Sequence, residues 1–552
     1  MKQFCVVCTA VLASAFFSAT LTAADMPFSR GVNLTRWFEA PSPRTIQFTR
    51  YTIQDFRNIK SLGADVIRLP INLHAMTTGK PDYVLDPLFL EFLEQAVDMA
   101  EMTGLHLILD NHTFDPVKPT PPDTEDVLLK VWPQMAARFK DRSDLLIYEV
   151  LNEPHGIDIA KWGKIQGKVI KAIRKIDTRH AIIVGAANYN CIMDLAALPR
   201  YADTNLIYTF HFYEPILFTH QGAAWTSPSL ADLSSVPYPP DAASIPPVPK
   251  SLQDTWWADR LNAYKTEGTF VYFRKYLDAA VKFGTDRGVR VFCGEFGAYK
   301  SKIAPADRVR WYRDVRTYLE GAGVAWTSWD YHGSFGIFRD LTGGRFNYDL
   351  DISLVEALGF TVPPQVKWLK KAEAGEIVVY EDYTTRGIFI ESWQNSGLID
   401  FYAATRPAAG RYSIIWKDAA RFDAFLFAFD TVKDFSRLVK EGYALRFMAR
   451  ASGAKCTFEV RFMNGETGPM DYPWRMARTV DASLLVPDGE WHLIQIPLSD
   501  MADVGAWKRS EQKWYFASGK FSWSNVVSLQ FAAEQQDLNG AEIGIDDIRI
   551  AK

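Results

Sequence analysis

One ten-residue stretch constrains the fold of this chain more than any other. Residues 145–154 read Leu-Leu-Ile-Tyr-Glu-Val-Leu-Asn-Glu-Pro. The apolar run, interrupted only by Tyr148 and Glu149, is typical of a strand buried on both faces of a parallel sheet. Because proline cannot continue a central strand, Glu153 is predicted at the carboxyl end of this strand, on rigid backbone. Such a carboxylate is well placed for catalysis, although pairing with a nearby arginine explains the stretch equally well when it is taken alone.

The region from residue 28 to residue 360 alternates strand-like and helix-like segments. Glycines often precede the next strand, as at Gly63, Gly104 and Gly323, where helices prefer to end. Eight such units predict an α/β fold, a (β/α)₈ TIM barrel, with a doubly wound sheet as the alternative. Strands are predicted at 28–34, 64–71, 105–112, 145–153, 180–187, 205–212, 289–296 and 324–331.

The connection after the sixth predicted strand is too long for a simple loop. It runs from residue 213 to residue 268 and contains a proline- and serine-rich tract at 227–249. Loops of this length in a compact domain are usually functional or disordered. It is therefore expected to overhang the catalytic face as a lid or a cleft wall, and for the tract at 227–249 a floppy insertion is an equal alternative.

A second domain is predicted after the boundary signal Thr361-Val362-Pro363-Pro364. Short strand-like segments without long helices follow, which indicates an all-β, jelly-roll-like sandwich over residues 376–552. Strands are predicted at 387–393, 411–416, 443–450, 456–463, 491–497, 526–532 and 542–550. The barrel domain is assigned to residues 25–362. Such a separate domain is expected either to tether the barrel to a ligand or to serve as a structural brace for it.

The N-terminus resembles an export signal. A short basic start precedes an apolar run, and Thr22-Ala23-Ala24 fits a cleavage site, so residues 1–24 are predicted to be a signal peptide. An uncleaved anchor is the alternative. No later stretch reaches the ~20 apolar residues of a spanning helix, so we expect a secreted or periplasmic monomer without membrane attachment after cleavage. The net charge of −4 gives no basic field for nucleic acid.

Polar and aromatic residues stand at the ends of six predicted strands. Because the carboxyl ends of barrel strands meet on one face, these residues are expected to converge where barrel active sites lie. They are Arg68, His112, Asn152 with Glu153, His211 with Tyr213, Glu295, and Trp329. Either histidine alone is more often a satisfied core group.

The chemistry that this set suits is cleavage of a glycosidic bond. Two carboxylates on separate strands are required, one protonated to assist the leaving oxygen and one ionised to attack the anomeric carbon. Arg68 near one glutamate favours its charged form. Asn152 suits the sugar 2-hydroxyl, and Trp329 offers a flat face for a pyranose. The sequence shows no phosphate loop or dinucleotide fingerprint, and the metal-site signal is weak, so no cofactor or metal is predicted.

The motifs resemble glycoside hydrolase family 5, a retaining family of (β/α)₈ barrels. The resemblance rests on Ile-Arg68-Leu-Pro, Asn-His112, Asn152-Glu153-Pro, His211-Phe-Tyr213, Gly-Glu295-Phe-Gly and Trp329. It implies that Glu153 is the acid/base and Glu295 the nucleophile. It also implies substrate contacts from the other motif residues, and Trp37 is added to the predicted substrate-binding residues.

The C-terminal region resembles carbohydrate-binding modules, on the segments 489–497 and 545–550. Six of its tryptophans are candidate sugar platforms, although core positions are more common for this residue. The predicted function is a β-glycanase, an endo-β-1,4-glucanase acting on β-glucan. A β-mannanase, an exo-acting β-glucosidase and a catalytically inactive carbohydrate-binding barrel are the alternatives.

Overall fold

The computed structural model describes residues 25–113, 115–340, 342–453, 455–465 and 472–552. The predicted signal peptide lies outside these ranges. Within them, no helix combines the length and the apolar character needed to cross a membrane. The three cysteines in the described ranges, Cys191, Cys293 and Cys456, are free thiols.

Eight parallel strands close into a barrel in chain order, which confirms the predicted α/β barrel. Each strand pairs with its sequence neighbours, and β1 pairs with β8 to close the ring. The strands are β1 (Arg30–Asn33), β2 (Val66–Ile71), β3 (His106–Asn111), β4 (Leu146–Glu149), β5 (Ala181–Gly185), β6 (Leu206–Phe212), β7 (Arg290–Phe296) and β8 (Ala325–Ser328).

Helices surround the barrel and continue into the second domain. Several begin at a side-chain cap, as where Asp158 accepts a hydrogen bond from the Lys161 amide at 2.8 Å. The helices are α1 (Ile53–Ser61), α2 (Pro87–Thr103), α3 (Thr124–Phe139), α4 (Ile159–Arg174), α5 (Ala187–Asn190), α6 (Ile216–Thr219), α7 (Trp256–Glu267), α8 (Phe270–Arg287), α9 (Pro305–Gly321), α10 (Ile352–Ala357) and, in the C-terminal region, α11 (Ser436–Lys440).

The barrel interior changes from apolar to polar along its strands. An apolar layer fills the amino-terminal end and includes Val66, Ile108 and Ile147. Two residues further along the same strands, on the same side of the sheet, stand the buried residues Arg68, Asp110 and Glu149. The charged layer therefore lies above the apolar layer, at the carboxyl end of the strands, where the site is predicted.

Strand β4 ends at Glu149, four residues before Glu153, which the sequence had placed at the strand end. The segment nevertheless stays tied to its neighbours. The Val150 amide donates to the Ile183 carbonyl at 3.2 Å, and the Asn152 amide donates to the Asn111 carbonyl at 2.9 Å. This irregular extension carries Glu153 over the barrel mouth.

The long connection after β6 is packed on the barrel rather than loose. Leu230, Leu233 and Val236 are buried within it, and the buried Tyr238 donates a hydrogen bond to Asp314 of α9 at 2.6 Å. The Gln221 side chain holds the loop together through both the amide and the carbonyl of Val236. The wall interpretation of this segment therefore fits the structure better than the floppy insertion.

Two antiparallel sheets form the C-terminal region, as predicted, with more strands than the sequence indicated. The seven-stranded sheet has the order β10-β13-β20-β15-β16-β18-β19, and the other sheet has the order β11-β12-β21-β14-β17 with β9 beside β21. The strands are β9 (Ile377–Tyr380), β10 (Ile388–Trp393), β11 (Leu398–Ala403), β12 (Ser413–Lys417), β13 (Ala424–Lys433), β14 (Ala444–Ser452), β15 (Phe458–Asn464), β16 (Arg475–Val480), β17 (His492–Pro497), β18 (Ala502–Lys508), β19 (Lys513–Tyr515), β20 (Val526–Ala532) and β21 (Glu542–Ala551).

The sandwich packs directly against the barrel. Phe48 and Phe92 of the barrel contact Tyr383 and Tyr402 of the sandwich, with ring centroids 5.0 Å apart for Phe92 and Tyr402. The buried Tyr402 hydroxyl also donates to the Ile46 carbonyl. Ion pairs flank the contact: Arg386 lies 2.8 Å from Asp55, and Arg411 lies 2.7 Å from Glu91. The interface thus has the aromatic centre and charged rim of a stable contact.

Candidate active site

Arg68 is the fully buried centre of the polar layer. Its Nε and Nη2 donate to the two carboxylate oxygens of Glu149 at 2.8 and 2.9 Å. Nη2 also donates to Asn152 Oδ1 at 2.8 Å, and Nη1 donates to Asn33 Oδ1 at 3.0 Å. Because the guanidinium is planar and held on every side, it fixes the side chains around it in one geometry.

Glu295 is held as a carboxylate by two hydrogen bonds. Arg68 Nη1 donates to its Oε1 at 2.8 Å, and the Tyr213 hydroxyl donates to its Oε2 at 2.7 Å. Burial disfavours the carboxylate, but His211, Arg68 and His112 overcome this cost and lower the pKa of Glu295 to about 2. Glu295 is therefore ionised at neutral pH.

Glu153 faces Glu295 across the mouth with fewer partners. It has a positive φ of 43°, which is uncommon for a residue other than glycine. His211 Nδ1 lies 2.6 Å from Glu153 Oε1 and 3.5 Å from Glu295 Oε2. One carboxylate oxygen of each glutamate and one His211 nitrogen lie within 4.8 Å of one another. Retaining glycosidases place their carboxyl groups ~5 Å apart, whereas inverting enzymes leave ~6.5–9.5 Å.

The spacing of Glu153, His211 and Glu295 also fits a metal ion. Within this trio, His211 Nδ1 and Glu153 Oε1 are already hydrogen-bonded to each other at 2.6 Å.

His112 connects the charged layer to an aromatic platform. Its Nδ1 lies 2.6 Å from Asp110 Oδ2, and its Nε2 lies 3.4 Å from Asn152 Nδ2. Burial alone would lower the pKa of His112, but Asp110 outweighs it and raises the pKa to about 9. Trp329 stacks on the imidazole, with centroids 5.4 Å apart and planes 15° from parallel. Its peptide bond to Asp330 is cis.

An aromatic wall extends outward from Glu295. The Tyr213 ring packs edge-on against His220 at 5.0 Å, and His220 packs against Phe335 at 5.7 Å. Trp225, which is 41 % exposed, contacts Tyr299 at 4.8 Å and Phe335 at 6.3 Å. Since Trp225 belongs to the long connection after β6, that segment lines the cleft.

The structure brings eight of the nine predicted site residues together and places Trp37 elsewhere. Trp37 is 1 % exposed, and its indole donates to the Phe48 carbonyl at 3.0 Å. Tyr51 and Phe56 cover its ring. Trp37 is therefore a core residue, and its prediction as a substrate contact is corrected.

Sequence reasoning missed the residues that hold the predicted ones. Glu149 and Asp110 ion-pair with Arg68, and Asn33 positions its guanidinium. A signal was present, because Glu149 and Asp110 are charged residues inside strands that are otherwise apolar. Asn33 gave no comparable signal, since an asparagine at a strand end is common.

Comparison with known proteins agrees with this geometry. Residues 29–334, more than half of the chain, match the sequence model of the family named Cellulase (glycosyl hydrolase family 5). This chain belongs to glycosyl hydrolase family 5. Residues 414–552 match carbohydrate binding domain 30. The family 5 barrel is thus followed by a carbohydrate-binding domain, and the chain is a glycoside hydrolase, a β-glycanase whose substrate is a polysaccharide.

Individual relatives give the same result for the barrel. Endoglucanase C of Acetivibrio thermocellus is 28 % identical over 55 % of this chain and 91 % of its own length. Endoglucanase 3 of Fibrobacter succinogenes is 29 % identical over 59 % of this chain, and the match spans 52 %, about half, of that protein.

Solved structures are similar to the same part of the chain. Cellulose synthase subunit Z of Clostridioides difficile has a TM-score of 0.50, with 25 % identity over 60 % of this chain and 99 % of its own. Cel5A of Thermotoga maritima, solved with cellobiose, also has a TM-score of 0.50, with 26 % identity over 60 % and 97 %.

Proposed function

We propose that this chain is a retaining endo-β-1,4-glucanase in which Glu295 is the nucleophile and Glu153 the acid/base. One observation carries the role assignment: the asymmetry between the two glutamates. Glu295 is hydrogen-bonded by Arg68 and Tyr213 and has its pKa lowered to about 2. Glu153 has His211 as its partner, a group that can pass a proton.

The geometry supports a double displacement. In the first step a Glu295 oxygen attacks the anomeric carbon while Glu153 gives its proton to the leaving oxygen, which breaks the glycosidic bond and forms a glycosyl-enzyme. In the second step Glu153 takes a proton from water, whose oxygen attacks the same carbon and releases Glu295. Two inversions leave the β-configuration of the sugar unchanged.

The remaining residues orient the substrate and the two glutamates. Asn152, held by Arg68 and His112, is proposed to bind the sugar 2-hydroxyl, a contact that strengthens in the transition state. Trp329 is proposed to carry one pyranose face. Tyr213 and His211 position the two glutamates. Tyr213 is hydrogen-bonded to Glu295 at 2.7 Å, and His211 to Glu153 at 2.6 Å.

The choice of endo action on β-1,4-glucan rests on the relatives and on the shape of the cleft. Two relatives are named endoglucanases, and the structure of one similar barrel was solved with cellobiose. The wall ending at the exposed Trp225 extends the cleft beyond the glutamates, which suits a chain bound along its length. The carbohydrate-binding domain is proposed to hold polymer close to the barrel, and residues 1–24 are proposed to direct export.

The test is hydrolysis of a substrate panel by the purified protein. Soluble β-1,4-glucan is expected to lose viscosity faster than reducing ends accumulate, which is the signature of internal cuts. Proton NMR of fresh product should show the β-anomer first. A higher kcat/KM on mannan, release of glucose alone, or no hydrolysis of any β-glycan would contradict the proposal in favour of the β-mannanase, the exo-glucosidase or the inactive barrel.

A further inference from the structure

A cavity of about 500 Å³ lies where the rim of the barrel meets the sandwich. We call it the interdomain cavity. Arg36, Lys300 and residues 332–334 line it on the barrel side, and Phe389 and Glu391 of β10 line it on the sandwich side. An adjoining cavity of about 370 Å³ shares His332 and Phe389 with it. Both volumes lie within the ~300–1,000 Å³ typical of sites for small ligands.

The barrel side of this cavity is built from the loops that carry the active site. Lys300 follows Glu295 in the loop after β7, and residues 332–334 follow Trp329 in the loop after β8. The two loops are joined where the Lys300 amide donates to the Ser334 carbonyl at 3.1 Å. The cavity is therefore lined by the same two loops that follow Glu295 and Trp329 in the chain.

The sandwich side continues as a row of side chains across the seven-stranded sheet. Glu391 pairs with Leu426, Leu426 pairs with Gln530, and Gln530 pairs with Arg461. Directly paired residues of antiparallel strands project from the same face. Arg461 also donates to the Gln530 side chain at 2.5 Å. The face that lines the cavity thus leads to buried polar groups at the centre of the sheet.

The lining has the groups that recognise a sugar. The Arg50 guanidinium lies over the Phe389 ring at 4.9 Å, and its Nε is buried without a hydrogen-bond partner in the described part of the chain. Lys300 Nζ uses one donor on the Phe338 carbonyl at 3.2 Å and has three in all. Glu391 and Asp430 add acceptors. Donors and acceptors beside an aromatic ring suit the hydroxyls and flat face of a neutral pyranose.

We propose that the interdomain cavity is a distal subsite for β-glucan, in which one polymer chain bound at Glu295 continues from the barrel mouth to the β10 edge of the seven-stranded sheet. The proposal rests on the proposed glucanase function. It goes beyond the proposal that the carbohydrate-binding domain only keeps polymer near the barrel. Here the barrel and the sandwich bind the same polymer chain, and the distance between the two binding points is fixed.

The experiment compares kcat/KM for soluble β-glucan with kcat/KM for cellotriose, which is too short to span both domains. Taking the ratio within each variant cancels differences in folded fraction. Phe389→Ala is expected to lower this ratio about fivefold to tenfold, the loss typical of removing one packed aromatic contact. Ala428→Trp, which fills the cavity from β13, is expected to lower it as well.

The matched control is Phe422→Ala, since Phe422 is 55 % exposed and also lies under an arginine, with the Arg421 guanidinium 4.6 Å from its ring. Its ratio is expected to equal that of the wild type. Unchanged ratios in both cavity variants, with a wild type that cleaves both substrates, would overturn the distal subsite and leave the glucanase proposal standing. A wild type that cleaves neither substrate would overturn the glucanase proposal itself.

Discussion

The barrel and the sandwich both bury charged side chains, but they arrange them differently. In the barrel, Arg68, Glu149 and Glu295 come from three strands and meet at one point. In the sandwich, Arg461 and Glu459 lie two residues apart on one strand, β15, and form an ion pair at 2.8 Å. In a closed parallel barrel the carboxyl ends of the strands meet on one face, so their side chains converge. In an open antiparallel sheet the side chains lie in rows across the strands. The first arrangement concentrates charge at one site, and the second distributes it over one face of the sheet.

The sharpest test of this contrast is the removal of one charge from the barrel centre. Glu295→Gln is expected to lower kcat on an aryl β-cellobioside by about 10⁵-fold or more, because no glycosyl-enzyme forms. Asp177→Asn is the matched control, a carboxylate equally buried but bonded to His180 and Tyr148 away from the site. It is expected to lower Tm while kcat of the folded enzyme stays near that of the wild type. Equal losses in kcat for Glu295→Gln and Asp177→Asn would contradict the claim that the catalytic charges converge at Glu295.

The second test separates the two glutamates. Glu153→Ala is expected to keep a fast first step on an activated aryl glycoside, which needs little protonation, and then to stall at the glycosyl-enzyme. Added azide should restore turnover by about 10²-fold or more, since it replaces the water that Glu153 activates. The product should be the β-glycosyl azide. Rescue of Glu295→Gln with that same retained product would mean that the roles are reversed.

The third test asks how strongly the two regions depend on each other. Cutting the chain after Gly375 exposes Phe48 and Phe92 and removes the Tyr402 bond to the Ile46 carbonyl. The barrel is expected to lose about 5–10 °C in Tm. Activity of the folded fragment on a small aryl glycoside should remain, because all proposed catalytic residues precede the cut, while activity on polymer falls. An unchanged Tm would show that the sandwich does not stabilise the barrel.

The fourth test uses the pKa of a barrel residue. The pKa of His112 rises from 6.5 to about 9 beside Asp110, so its protonation stabilises the folded state below pH 6.5. That contribution, about 3 kcal/mol at most, is lost as the pH rises from 6.5 through 9. Urea unfolding at pH 6 and pH 9.5 should therefore show a larger loss for the wild type than for His112→Gln. Equal losses would contradict the shifted pKa.

Much of the barrel was predictable because its signals are local. Buried parallel strands read as apolar runs, and Glu153 and Glu295 follow such runs within a few residues. The predicted strands include all eight barrel strands, and the motif residues converge because the strand ends do. The domain boundaries near residues 362 and 376, the signal peptide and the monomeric state remain predictions.

The rest was hidden because it depends on contacts between distant residues. Trp37 is a predicted substrate contact, and only its packing against Tyr51 and Phe56 shows a core residue. The barrel–sandwich interface joins Ile46 to Tyr402 across more than three hundred residues, without any local pattern. In the sandwich, several strands were not predicted. One of them is β13, although it begins with the apolar run Ala-Phe-Leu-Phe-Ala-Phe.

Trapping of the covalent intermediate tests the central claim most directly. A 2-deoxy-2-fluoro-β-cellobioside with a good leaving group slows both steps, and the activated leaving group lets the first step outrun the second, so the glycosyl-enzyme accumulates. Peptide mass spectrometry of the wild-type enzyme is expected to find one added 2-deoxy-2-fluorocellobiosyl group on Glu295, and Glu295→Gln is expected to carry none. A label on Glu153, or turnover without any covalent adduct, would contradict the account.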